Sequence, residues 1–83
     1  MAKKILVVDD EKLIRWSLAQ RLKKEGFDIV EAGDGAAAHE AFNTESVDLV
    51  LLDLKLPDAD GISILKKFQA QSPDTPVIII TSV

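Results

Sequence analysis

Three aspartates in this chain stand where carboxylates can do chemistry. Asp9 and Asp10 close the apolar run Ile5-Leu6-Val7-Val8, and Asp53 closes a second run from Leu49 to Leu52. Neither run alternates polar with apolar residues, so each reads as a strand buried on both faces. If the two strands are parallel neighbours, three carboxylates meet at one sheet edge, where open α/β sheets place their sites. Clustered carboxylates repel one another, which raises at least one pKa unless a cation neutralises them. Mg2+ wants oxygen ligands and usually binds one or two carboxylates and a phosphate oxygen while keeping several waters. The set therefore suits a divalent cation and a phosphoryl group. One such aspartate alone reads more simply as a helix cap. The three together, with Pro57 and Gly61 in step behind Asp53, point to a site.

The elements that must position these acids follow from the pattern around them. Lys4 to Val8 is the first strand. Glu11 to Glu25 reads as a helix, with Ile14, Leu18 and Leu22 as its apolar stripe. Lys23 and Lys24 suit the last turn of that helix, and Gly26 closes it. Phe27 to Ala32 is a second strand with Ile29 as its core residue. Asp34 then caps a helix through Ala36-Ala37-Ala38, Ala41 and Phe42, and Asn43 to Ser46 is loop. Pro57 ends the pairing of the third strand. Asp58 and Asp60 start a helix from Gly61 to Gln71, with Ile64, Leu65 and Phe68 inward. Ser72-Pro73-Asp74-Thr75-Pro76 breaks it before a fourth buried strand, Val77 to Ile80. The order β-α-β-α-β-α-β means parallel strands joined by right-handed crossovers.

Composition narrows the function classes. The 83 residues make one small domain, 47% hydrophobic and 5% aromatic, with a core of aliphatic residues. A net charge of −4 argues against direct contact with nucleic acid. Without cysteine, neither disulfides nor thiolate metal sites are available. The apolar run after Met1-Ala2-Lys3-Lys4 is too short for a signal peptide or a membrane span. A cytoplasmic protein is the expectation. His39 has no second metal-type ligand one turn away and is expected to face solvent. Trp16 reads as packing or as part of a contact surface.

Ile5 to Glu11, Leu51 to Pro57, Asp60-Gly61 and Ile79-Ile80-Thr81 together resemble the receiver domain of two-component response regulators, over the full chain. Ile14-Arg15-Trp16 with Leu18 further resembles receivers of nitrogen-regulatory, sigma-54-dependent activators. The resemblance implies a flavodoxin-like sheet, of order 2-1-3-4 as far as this sequence runs. It implies that Asp53 is the phosphoacceptor, taking a phosphoryl group from a histidine kinase with Mg2+ as cofactor. Asp10 would bind the metal directly, Asp9 through water or by shaping the pocket, and the Lys55 carbonyl would add a ligand. Thr81 would be the switch hydroxyl, Ser82 would offer its backbone N–H to the phosphate, and Pro57 and Gly61 would shape the loop. Such a domain is a signalling module, not an enzyme with a separate substrate.

The family pattern continues with a helix, a strand ending in a phosphate-pairing lysine, and a last helix, none of which this sequence contains. Residues 1–83 are thus expected to be a partial receiver with an unprotected fourth strand. The partner expected there is a second copy, giving a homodimer through the strand-four edge. Two alternatives stand beside phosphotransfer. One is a fragment that mainly self-associates. The other is an aspartate-nucleophile phosphatase, disfavoured because Lys55 occupies the place of its second acid.

Overall fold

The computed structural model describes residues 2–80. Its elements run β1 (Lys4–Val8), α1 (Lys12–Lys24), β2 (Asp28–Ala32), α2 (Gly35–Thr44), β3 (Leu49–Asp53), α3 (Gly61–Gln71) and β4 (Val77–Ile80). The strands form one sheet in the order β2-β1-β3-β4, all parallel. This is the flavodoxin-like arrangement, as far as the fourth strand.

The two apolar runs are the central strands, and burial follows from that place. Leu6, Val8, Val50 and Leu52 cluster with Ala38 of α2 and with Ile64 and Phe68 of α3. Ile5 and Val7 are equally buried. The two-residue period of a strand turns them to the opposite face, where α1 packs on β1 and β2. Phe68 anchors the first face, stacked on Phe42 with ring centroids 4.0 Å apart.

Several expectations change. Only Ala19 of α1 is fully buried; Ile14, Leu18 and Leu22 form a half-buried stripe. Ile29 is half-buried too, whereas Ala32 is enclosed. Among the described residues β2 and β4 flank the sheet, and such positions shield less surface than central ones. The same reason leaves β4 half-buried, with Ile78 49% exposed. Asn43 and Thr44 belong to α2 rather than to a loop, and Thr44 Oγ1 donates to the Glu40 carbonyl at 2.8 Å. His39 does not simply face solvent. Its ring meets Phe68 edge-on at 5.3 Å, in the cleft between α2 and α3.

Candidate functional site

The register of the central strands assembles the acids. Val8 of β1 pairs with Leu52 of β3, so the next residue on each strand, Asp9 and Asp53, lies at the same level. Carboxylate oxygens of Asp9, Asp10 and Asp53 lie within 4.8 Å of one another. Asp9 and Asp53 are each only 1% exposed, while Asp10 opens to solvent.

The two buried acids are each held by a local turn. The Glu11 N–H donates to Asp9 Oδ1 at 2.9 Å, so Asp9 folds the start of α1 back onto the strand end. The Asp9 N–H donates to the Ala32 carbonyl at 3.1 Å, which carries the β1–β2 ladder past Val8. The Lys55 N–H donates to Asp53 Oδ1 at 3.0 Å in the matching turn after β3. Burial pushes the Asp9 carboxyl above its ordinary value of 3.8, and Asp53 and Asp10 push the same way. The Glu11 N–H acts against them. Burial and neighbouring like charges are what raise a carboxyl pKa in such a cluster.

The loop after β3 is closed at both ends. Lys55 bridges Asp60, and the Gly61 N–H donates to the Leu54 carbonyl at 3.2 Å. A Cβ on Gly61 would stand 2.5 Å from the Leu54 Cα, so only glycine permits this approach. Pro57 lies exposed within the loop. Asp60 caps α3, accepting the Ile62 N–H at 3.1 Å. Asp58, expected to help start α3, instead reaches the start of α2, where its carboxylate accepts the Gly35 and Ala36 N–H groups. Thr81 and Ser82 lie outside the described residues.

A family profile for the response regulator receiver domain matches residues 5–83. The chain belongs to that family. Over 82 residues this receiver is 42% identical to the alkaline phosphatase synthesis transcriptional regulatory protein PhoP of Bacillus subtilis, covering 99% of this chain and 34% of that protein. The receiver thus spans about a third of that relative's length. Among solved structures, NtrX from Brucella abortus, crystallised with ADP, superposes with a TM-score of 0.92 at 40% identity. The match covers 98% of this receiver and 19% of that chain. TrrA from Thermotoga maritima, in complex with Mg(2+)-BeF, gives 0.93 at 36% identity, over 98% of this chain and 70% of that one.

Two residues at the site escaped the sequence reading. Arg15 stood out only as part of a subfamily resemblance, yet its Nη1 donates to the Asp9 carbonyl at 2.7 Å. Asp58 reads from the sequence as a local cap of α3. The signal for either is a pairing across 6 and 23 residues respectively, which no local pattern announces.

Proposed function

We propose that Asp53 is the phosphoacceptor of a two-component relay and that a histidine kinase supplies its phosphoryl group. The observation that carries this is the placement of Asp53, buried at the end of a central strand, among the oxygens of Asp9 and Asp10. A carboxylate oxygen of Asp53 attacks phosphorus as the bond from phosphorus to the kinase histidine nitrogen breaks; with the other ring nitrogen protonated, the products are an acyl phosphate and a neutral imidazole. The all-oxygen donor set and the upward push on Asp9 fit a hard divalent cation. Asp10, Asp53 and the Lys55 carbonyl would hold Mg2+, with Asp9 shaping the pocket. When bound, the metal supplies charge neutralisation for the phosphoryl oxygens. The Mg(2+)-BeF in the TrrA structure supports this choice of ion.

The remaining work falls to the chain itself. The turn that brings the Lys55 N–H to Asp53 Oδ1 orients the nucleophile. By resemblance, Thr81 supplies the switch hydroxyl and Ser82 a backbone N–H to the phosphate. The domain is a cytoplasmic signalling module in this reading. An acid at position 55 would favour the phosphatase alternative, and Lys55 stands there. Incubation with a small phosphodonor and Mg2+, followed by intact mass, tests the assignment. One added phosphoryl group, absent in Asp53→Ala, is expected; a group that survives Asp53→Ala overturns it.

One observation favours a second property. Among the described residues β4 pairs on one side only, and its Ile78 side chain is half exposed. An aliphatic strand edge without lysine or proline invites pairing. We propose that the 83-residue chain by itself forms a two-fold dimer through β4. Light scattering across a concentration series tests this, with Ile78→Lys expected to give a monomer. A wild-type monomer at tens of micromolar would end the idea.

A further inference from the structure

Arg15 is the one member of the Ile14-Arg15-Trp16 motif that touches the acid cluster. It does so from behind. The guanidinium does not bond a carboxylate of the cluster; its Nη1 donates to the main-chain carbonyl of Asp9 at 2.7 Å, and its Nε to Glu31 Oε1 at 3.2 Å. The side chain is only 18% exposed, so these contacts are made in a partly desolvated setting where charge-assisted bonds are strong. Gly33 closes the slot: a Cβ there would stand 2.9 Å from Arg15 Nη1. Arg15 on α1 thus straps the end of β1 to β2.

The carbonyl it holds belongs to the peptide that joins Asp9 to Asp10. The other polar groups of Asp9 are also fixed, its N–H by the Ala32 carbonyl and its Oδ1 by the Glu11 N–H. A peptide unit is planar, so pinning its oxygen fixes the direction in which the chain leaves for Asp10. Asp10 is the exposed acid of the three and the one with the most freedom to lose.

We propose that Arg15 is a positioning residue of the acid cluster: by clamping the Asp9 carbonyl it sets where Asp10 projects, and so sets the affinity for a divalent cation. This rests on the magnesium reading given above. The sign of the effect separates positioning from plain electrostatics. A cation near three carboxylates that acted only through its charge would repel Mg2+, and its removal would tighten binding. A positioning residue does the opposite. Groups that orient metal ligands from outside typically change affinity 10- to 100-fold when removed.

The test is an NMR titration of the 83-residue chain with MgCl2, following the amides of residues 9–11 and 53–55, with folding checked by thermal melting. Arg15→Met is expected to weaken Mg2+ binding by about tenfold. Gly33→Ala puts a Cβ 2.9 Å from Arg15 Nη1, so the guanidinium must shift against the Asp9 carbonyl while keeping its charge, and binding is expected to weaken in the same direction. Arg15→Lys, which keeps a donor, is expected to recover part of the loss, and Arg21→Met on the exposed face of α1 to change nothing. Before any metal is added, the carbonyl carbon shift of Asp9 should move in Arg15→Met and Gly33→Ala but not in Arg21→Met. Unchanged or tighter binding in folded Arg15→Met and Gly33→Ala, with wild type responding normally, overturns the role of Arg15 alone. A wild type whose titration matches that of Asp10→Asn with Asp53→Asn overturns the magnesium reading, and the role of Arg15 with it. If Arg15→Met does not fold, Gly33→Ala decides.

Discussion

The carboxylate of Asp58 accepts the backbone N–H of Gly35 at 2.7 Å and that of Ala36 at 3.1 Å, capping a helix that begins 23 residues earlier in the chain. Asp34, the local cap of the same helix, accepts the Ala37 N–H at 2.8 Å. Two carboxylates therefore satisfy donors that the first turn of α2 leaves without intrahelical partners. One of them ties the loop after Asp53 to the start of α2.

The Gly35 N–H holds the Asp58 carboxyl below its ordinary value of 3.8, with Ala36 and His39 adding to the effect. A depressed folded-state pKa contributes stability above the unfolded pKa, and that contribution is lost as pH falls through the folded value. The stability gap between wild type and Asp58→Asn is expected to be full above about pH 5 and to close below pH 3.8. Urea titrations of both proteins across that range check it. A gap that widens in acid would contradict the cap.

Gly61→Ala is expected to destabilise the fold by about 1–3 kcal/mol, because the new Cβ meets backbone that cannot step aside. Denaturant midpoints measure the loss. Gly26→Ala makes a useful comparison, since a Cβ there meets nothing within 4 Å and any cost arises from its φ of +94°.

Phe68→Ala removes the ring on which Phe42 stacks and His39 rests, and is expected to cost about 3–5 kcal/mol. Native domains are stable by only about 5–15 kcal/mol in total, so this variant should be partly unfolded at room temperature. Phe68→Leu should retain a cooperative melt.

Magnesium should raise the melting temperature by mass action. At a hundredfold excess over its dissociation constant a ligand adds about 2.7 kcal/mol, which is worth about 11–22 °C in a domain of this size. Asp10→Asn with Asp53→Asn should abolish the shift. Calorimetry with and without MgCl2 is the measurement.

The sequence made the central part of the architecture legible because central strands advertise themselves. Ile5 to Val8 and Leu49 to Leu52 have no polar face, and the acids that end them follow directly from that pattern. The flanking strands were harder. Ile29 and the Val77 to Ile80 run look like core residues, but their burial depends on how many neighbours the sheet gives them. Tertiary polar contacts were the least legible. Asp58 sits just before a helix that Asp60 caps, and nothing local reveals that Gly35 and Ala36 are its own partners. Arg15 was visible only as a resemblance, because a guanidinium on a main-chain carbonyl leaves no spacing rule behind.

The register that sets Asp9 beside Asp53 also decides how the site can come apart. Both acids end strands with a hydrogen-bonded neighbour on each side, and β1 and β3 supply most of the core. Amides in those strands should exchange with solvent only through opening of the whole domain. The loop over 54–60 is largely exposed and should exchange through smaller, more frequent openings. Asp53 thus stands on the slowest-exchanging part of the molecule, beside one of the faster parts. The loop beside it can therefore move without loosening the strand that carries Asp53.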